Sequence, residues 1–261
     1  MGGWPGRGAP AFTEPARSFS IGRKIMRQVV AATFLSLDGV MQAPGGPHED
    51  PQGGFSHGGW TFHYWDEAMG KVMDKAFTEE FDLLLGRRTY DIFAAHWPYA
   101  GDDPIAVKFN AITKYVATSE PQTLSWQNSV ALRGDPAAEV AALKRQDGRK
   151  LLLQGSSELI QALLAKDLID EITLLTFPVV LGKGKRLFGK GAMPAAFKLV
   201  ESSASSTGVI MATYRREGEV TTGSFEFAEP SAAEIARREK ICGQRLKNFR
   251  KPVDRGRPRS T

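Results

Sequence analysis

Two short apolar runs end in a glycine and pass directly into a helical pattern. They are LLLG at residues 83–86 and KLLLQG at residues 150–155. An apolar run of this length, bounded by a turn residue, is typical of a strand buried on both faces. A strand that leads directly into a helix is one unit of a β-α-β crossover, which joins parallel strands. The chain is therefore expected to build an α/β domain around a mainly parallel sheet.

Other segments extend this pattern along the chain. Strands are predicted at residues 28–35, 82–85, 114–120, 129–134, 150–155 and 171–182, the last with a bulge or an end at Pro178. Helices are predicted at residues 64–81, 89–96, 106–112, 136–146 and 156–167. The segments 196–205 and 208–217 follow each other without a helix and predict a closing, hairpin-like pair, which makes the sheet mixed.

The composition limits the class of protein. The chain has 261 residues, 42% of them hydrophobic and 24% charged, which is typical of a globular protein with a sizeable core. Cys242 is the single cysteine, so an internal disulfide is excluded and a reducing, cytoplasmic compartment is predicted. No stretch approaches the about 20 apolar residues of a membrane-spanning helix. No membrane partner is therefore expected.

The net charge of +5 is distributed unevenly along the chain. Residues 231–261 hold ten Lys or Arg against three acidic residues, and residues 1–25 hold four against one. Residues 26–230 therefore carry a net charge of −5. A charge run at the end of a chain is most simply a solvated extension, and contact of this tail with nucleic acid is the alternative.

The charge and composition predict three parts. Residues 1–25 are rich in Gly, Pro, Ser and Arg and are expected to form a disordered extension, so translation of the folded part can also start at Met26. Residues 26–217 hold the predicted strands and form the folded domain. Residues 218–261 are predicted to be a basic extension with one helix, which Ser231 would cap.

A glycine-rich loop at residues 42–60 interrupts the regular pattern after the first strand. A loop of this length inside a compact domain is usually functional, and we expect it to act as a lid. His48, His57 and His63 lie in or just after this loop, but their spacing matches no compact metal pattern. No metal site is therefore predicted.

Polar residues or glycines follow four predicted strands, at residues 36–39, 86–89, 118–119 and 154–157. The carboxyl ends of parallel strands are where such sheets bind ligands. Helix starts attract phosphate, and Arg87 and Arg88 add guanidinium groups. Two such turns predict a site for the phosphates of a dinucleotide. Taken singly, each turn also fits a simply capped helix, with solvated or surface-paired arginines or with Ser156 as the N-cap.

The chain resembles the dihydrofolate reductase superfamily in four motifs that occur in this order: SLDG at 36–39, LLLGRRTY at 83–90, QGSS at 154–157 and FPVVLGKGKRLF at 177–188. The most similar branch is the RibD C-terminal domain family, which contains the reductase domain of riboflavin biosynthesis. The resemblance covers residues 26–217. It implies a dihydrofolate-reductase-like three-layer fold, with a mainly parallel mixed sheet of about eight strands, that uses NADPH.

The resemblance also implies roles for individual residues. Asp38 would be the catalytic carboxylate, bordering the nicotinamide and the substrate. The residues that would contact NADPH are Gly86, Arg87, Arg88, Thr89, Thr118, Ser119, Gln154, Gly155, Ser156, Ser157, Leu181 and Gly182. Within this set, the 2′-phosphate would lie near Arg87 or Arg88.

Substrate-binding residues are predicted from the first loop and the helix that follows it. Trp60 and Trp65 are expected to line an aromatic pocket, although Trp65 also fits the apolar stripe of a core helix. Folate reductases carry a carboxylate on this helix, and this stretch offers Asp66, Glu67 and Asp74, none preceded by the usual Trp and Pro pattern. Of these, Asp66 is the predicted substrate-binding residue.

The expected function is that of an NADPH-dependent reductase that transfers a hydride to a small heterocyclic substrate. It would be similar to the 5-amino-6-(5-phosphoribosylamino)uracil reductase of riboflavin biosynthesis and, by the same resemblance, a homodimer. The alternatives are dihydrofolate reduction and the non-catalytic binding of a ligand or nucleic acid.

Overall fold

The fold is built on an eight-stranded sheet with the strand order β4-β3-β2-β5-β1-β6-β8-β7. The structure, a computed structural model, describes residues 26–189, 192–225 and 229–249. The predicted disorder of residues 1–25 therefore lies outside the described residues. The strands are β1 Val29–Ser36, β2 Phe81–Gly86, β3 Lys114–Ala117, β4 Ser129–Leu132, β5 Lys150–Gln154, β6 Glu171–Phe177, β7 Ala196–Ala204 and β8 Ile210–Gly218.

The strands from β1 to β6 run parallel, and β8 pairs antiparallel with both β6 and β7. α-Helices lie on the connections between successive parallel strands, except that β3 and β4 are joined by a short 3-10 turn at Pro121–Thr123. The helices are α1 Glu67–Thr78, α2 Arg87–Ala94, α3 Pro104–Ala111, α4 Pro136–Lys144, α5 Ser157–Leu164 and α6 Ala232–Phe249. The predicted α/β class, with a mainly parallel mixed sheet and a closing antiparallel pair, is confirmed.

Side chains alternate across the central strands and bury both faces of the sheet. In β1, Ala31 packs with α4 and α5 on one face, whereas Ala32 packs with α2 and α3 on the other. Helix α1 covers this second face as well, where Met69 contacts Leu175 and Phe177 of β6. The result is the predicted three-layer arrangement of helices, sheet and helices.

The strand order brings the ends of distant segments together. β5 lies between β2 and β1, with Leu151 beside both Val29 and Asp82. The turns that follow β2 and β5 are therefore neighbours in space, although about 70 residues separate them in sequence. This neighbouring pair of strand ends positions the candidate site.

Several predicted elements extend beyond the helices and strands that form. The predicted helix at 64–81 begins only at Glu67, because Asp66 adopts an extended backbone and caps the helix through the amide of Met69. Trp65 consequently lies before the helix and is 48% exposed, so its assignment to an apolar helix stripe was wrong. β6 ends at Phe177, directly before Pro178, which confirms the predicted strand end.

Lys114 at the start of β3 is fully buried and has no carboxylate partner among the residues that the structure describes. Its ammonium donates to the carbonyls of Phe109 (2.9 Å) and Asn110 (3.2 Å) at the end of α3, and it lies 4.4 Å from the centre of the Trp126 ring. Burial lowers the pKa of Lys114 to about 8. The buried ammonium of Lys114 therefore links the end of α3 to β3, although its charge is desolvated.

We expect the Lys114→Met variant to lose part of the pH dependence of stability in alkaline solution. The unfolded lysine keeps its proton up to about 10.5, whereas the folded one releases it from about 8. Between these values the unfolded state binds more protons, so the free energy of unfolding rises with pH, by at most about 1.4 kcal/mol per unit. Urea unfolding at pH 7 to 10 measures this slope, and equal slopes in both proteins would contradict the expectation.

The C-terminal segment forms a second compact unit from Val220 onward. Its helix α6 begins after Ser231, whose hydroxyl accepts the amide of Glu234, as the capping signature predicted. Hydrogen bonds from Arg237 and Arg238 lower the pKa of Glu234 to about 2. Within the described residues, no helix is both long and apolar enough to cross a membrane.

Candidate functional site

A cleft of about 1100 Å³ lies at the carboxyl ends of β2, β3 and β5. Gly86, Ala117 and Gln154 line it at these strand ends. The volume is at the upper end of that of small-molecule sites in proteins. Of the sequence-predicted site residues, the cleft brings together those of the two glycine turns: Gly86, Arg87, Arg88, Thr89, Gln154, Gly155, Ser156 and Ser157.

The two turns are joined by the hydroxyl of Ser156. It accepts the amide of Gly86 (2.9 Å) and donates to the hydroxyl of Thr89 (2.7 Å). The same hydroxyl makes no capping bond to α5, and Gly86 has no side chain with which to cap α2. Simple N-capping by Ser156 is thus excluded, and the first amides of both helices are left without a capping side chain at the cleft.

Glycine is required in both turns. A Cβ on Gly86 would approach the Ser156 hydroxyl to 3.1 Å and its Cβ to 3.2 Å, which is closer than ordinary contact. Gly155 has a φ of +68°, in the left-handed region, and the following Ser156 has a φ of +64°. This backbone path directs Ser156 toward the β2 turn, so the close contact of the two turns depends on the sequence Gly-Ser.

The two adjacent arginines have different environments. Arg87 donates through Nε to both oxygens of Asp91 (2.8 and 3.0 Å), and through Nη1 to Thr123 and to the carbonyl of Glu120. Of the two predicted roles, phosphate binding or pairing with a surface acid, Arg87 therefore has the second in this structure. Arg88 is exposed at the cleft and makes no hydrogen bond or ion pair with any residue that the structure describes.

The third predicted strand end lies beside the cleft rather than in its wall. Thr118 accepts the amide of Glu120 (3.0 Å) and lies 3.5 Å from Nη1 of Arg87, so it helps to hold that arginine. Ser119 is exposed. Neither residue lines the cleft, and the cofactor contacts expected of them stay predictions.

Asp38 is fully engaged in contacts within the protein. Its carboxylate accepts the hydroxyl of Ser36 (2.6 Å), the amides of Leu181 (3.0 Å) and Gly182 (2.9 Å), and one guanidinium nitrogen of Arg186 (3.1 Å). The Ser36 hydroxyl and the two amides hold the pKa of Asp38 well below its usual range. These contacts fix the loop after β6 and lie outside the cleft lining, so the catalytic role of Asp38 and the cofactor contacts of that loop stay predictions.

The three predicted substrate residues also lie outside the cleft lining. Trp60 donates its indole N–H to the carbonyl of Gln42 (2.8 Å) and packs edge-on against Phe177. Trp65 contacts Phe34, which does line the cleft. Asp66 caps α1 and accepts the amide and hydroxyl of Ser206, and the Ser206 hydroxyl bond lowers its pKa. Their substrate contacts stay predictions.

The first part of the glycine-rich loop forms a polar wall of the cleft that was not predicted. Asp50, which is 8% exposed, pairs with Lys185 from the loop after β6. Gln42 accepts the amide of Lys185 (3.0 Å) and donates to the carbonyls of Asp50 (2.9 Å) and Gln52 (3.0 Å). Asp50 and Lys185 are 135 residues apart in sequence, so no local pattern could have paired them.

Glu49 belongs to the same wall. One carboxylate oxygen accepts the amides of Gly45 (2.6 Å) and Gly46 (3.2 Å). Burial raises the pKa of this carboxyl, and the negative charge of Asp50 adds to the effect. The adjacent acids in the loop were a visible signal, but they are equally typical of a solvated loop.

Comparisons with known proteins find a family model and a relative that each match most of the chain. The model of the RibD C-terminal domain matches residues 27–211. The chain is 26% identical over 202 residues to the uncharacterized protein YyaP of Bacillus subtilis (strain 168), covering 74% of this chain and 96% of that protein.

Two solved structures are similar to the chain. A putative riboflavin biosynthesis protein from Shewanella sp. PV-4 has 23% identity and a TM-score of 0.48, covering 73% of this chain and 99% of that one. Dihydrofolate reductase from Enterococcus faecalis in complex with NADP(H) has 16% identity and a TM-score of 0.47, covering 72% and 96%. Because the family model matches well over half of the sequence, the protein belongs to the RibD C-terminal domain family.

Proposed function

We propose that the protein is a reductase that binds NADPH in the cleft and transfers a hydride to a small heterocyclic substrate. The observation that carries the proposal is the pair of glycine turns linked through Ser156, which leaves two uncapped helix starts. Arg88 lies beside them and has no partner within the described part of the chain. Backbone amides at helix starts bind phosphate, and a guanidinium adds a planar charged partner. The residues therefore fit a dinucleotide with an additional phosphate.

Each residue in the turns has a distinct role under this proposal. The first amides of α5 and α2 would hold the pyrophosphate, and Gly155 and Gly86 would allow its close approach. Arg88 would bind the 2′-phosphate, because Arg87 is already engaged with Asp91 and Thr123. When bound, NADPH supplies the hydride. The chain's own contribution is to orient the two reactants and to exclude water between them.

Dihydrofolate reduction receives less support from the cleft. Met73 and Phe77 are the residues that α1 presents there, whereas Asp66 is engaged with Ser206 outside it. Helix α1 thus contributes no carboxylate to the cleft lining, unlike the corresponding helix of folate reductases. A heterocycle other than folate is the better candidate.

The remaining details are proposals drawn from family membership. We propose that the protein acts in the cytoplasm as a homodimer. We also propose that residues 26–217 form the reductase domain, with residues 218–261 as a basic extension.

Titration of the full chain with NADPH and with NADH, followed by nicotinamide fluorescence, tests the proposal. We expect saturable binding of both, with NADPH tighter. Gly86→Ala should weaken both nucleotides about tenfold without changing their ratio, because the added Cβ separates the two turns. Gly70→Ala is the matched control, since a Cβ on Gly70 meets nothing within 4 Å. Absence of saturable binding of both nucleotides would overturn the proposed function.

A further inference from the structure

The cleft lining apart from the two turns and the first turns of α2 and α5, called here the substrate half, consists of two chemically different sets of residues, called here walls. One wall is apolar and comes from β1, α1, α2, α3 and the turn after α2. Its residues are Phe34, Met73, Phe77, Phe93, Trp97 and Ile105. Aromatic side chains with this density favour a flat, unsaturated ligand through stacking and edge contacts.

The second wall is polar and comes from the glycine-rich loop and Lys185, but this lysine is already neutralised. The ammonium of Lys185 pairs with buried Asp50 and donates to the side chain of Gln52 (3.2 Å). Redirecting Lys185 to a ligand would leave the Asp50 carboxylate buried without its partner, which is strongly unfavourable. Lys185 is therefore not available to an anionic group of a ligand.

The same wall holds a carboxyl group that opposes anions. Glu49 has no Lys, Arg or His partner among the residues that the structure describes, and it is held in place by the amides of Gly45 and Gly46. A second negative charge brought beside it in a partly desolvated cleft is repelled. A ligand that donates a hydrogen bond to this carboxyl is accommodated instead.

The other basic residues of the cleft lie outside the substrate half or are weak partners for phosphate. Arg87 is engaged with Asp91, and Arg88 is assigned to the 2′-phosphate of the nucleotide in the proposed function. His96 is a single exposed imidazole whose ring lies against Trp97. A buried phosphate group requires paired charges and several donors, and no such set remains.

We propose that the substrate is an uncharged or cationic aromatic heterocycle that carries no phosphate group. This inference rests on the proposed function and narrows it, because it separates the protein from reductases whose substrate is a phosphoribosyl compound. Ring recognition comes from the apolar wall, and Glu49 accepts a hydrogen bond from a ring or exocyclic N–H.

Two pairs of probes that differ by one phosphate test the proposal: riboflavin against flavin mononucleotide, and pyridoxine against pyridoxine 5′-phosphate. Their affinities are measured by calorimetry on the full chain saturated with NADP⁺. We expect the unphosphorylated member of each pair to bind at least tenfold more tightly. Equal or tighter binding of the phosphorylated members would overturn the proposal, as would failure of all four probes to bind.

Two variants test which part of the cleft is responsible for the preference for unphosphorylated probes. Glu49→Gln should reduce the preference for the unphosphorylated probe several-fold, because it removes the repulsion and keeps an acceptor oxygen. Glu158→Gln makes the same charge change at the first turn of α5, also in the cleft lining, and should change that preference less. Equal effects of both would show that only net charge matters and would overturn the role given to the substrate half.

The failure of this inference is distinguishable from that of the proposed function. Loss of the proposed function appears as an absence of saturable NADPH and NADH binding in the fluorescence titration. The probe pairs are then measured on the protein alone, where the same preference is expected from the same walls.

Discussion

Arg88→Ala is expected to weaken the binding of NADPH about 10- to 100-fold while leaving that of NADH nearly unchanged. The two nucleotides differ by the 2′-phosphate, which the proposed function assigns to Arg88. A hydrogen-bonded pair between charged groups contributes about 1.5–3 kcal/mol, and each 1.4 kcal/mol corresponds to about a tenfold change in Kd. Nicotinamide fluorescence titrations of both nucleotides measure the change directly.

The neighbouring residue supplies the control for this experiment. Arg87→Ala removes the bonds to Asp91 and Thr123, so it should lower thermal stability slightly and leave the ratio of NADPH to NADH affinity unchanged. If Arg87→Ala abolishes the preference and Arg88→Ala does not, the assignment of the 2′-phosphate is wrong.

Asp82→Asn is expected to lower the free energy of unfolding by about 3–5 kcal/mol. Asp82 lies on β2 and accepts a hydrogen bond from Nη2 of Arg27 (2.6 Å), and the two side chains are only 10% and 2% exposed. Breaking a buried pair from one side leaves the other charge uncompensated, which is the costly case. Urea unfolding at neutral pH, followed by circular dichroism, measures the loss.

Two further variants separate the buried charge from other effects. Glu79→Gln breaks the ion pair of an exposed carboxylate with Lys150 and should cost less than about 1 kcal/mol. The double variant Arg27→Met with Asp82→Leu removes both buried charges and should recover most of the lost stability. A double variant that is no more stable than Asp82→Asn would show that packing, and not the unpaired charge, is responsible.

The elements of the fold were largely predictable, whereas the strand order was not. Apolar runs such as 83–85 and 151–153, bounded by glycine turns, are typical of buried strands, and all eight strands form near their predicted positions. The insertion of β5 between β2 and β1 depends on packing between distant segments. The predicted start of α1 was wrong. The apolar stripe continues back to Trp65, but Asp66 caps the helix and ends it on the N-terminal side.

Half of the site could be inferred from the sequence, because its signal lies within a few consecutive residues. A glycine between a strand and a helix start is a local signal, and it identified the turns at 86–89 and 154–157. The roles of Arg87 and Arg88 could not be separated, because adjacent helical residues point in different directions that only the structure fixes. The ion pairs of Asp50 and Asp82 were missed since their partners, Lys185 and Arg27, are 135 and 55 residues away.

The hydroxyl of Ser156 also has a consequence for how the protein is made. β1 and β2 are synthesised early but are not neighbours in the sheet, because β5 separates them. The central sheet, and with it the Ser156 contact, can form only after the ribosome has released residues beyond 157. The proposed nucleotide site therefore cannot assemble on any shorter nascent chain, and a nucleotide would not act as a template for the first half of the domain. Under the proposed function, a nucleotide would stabilise only the completed fold, by mass action on the last state reached.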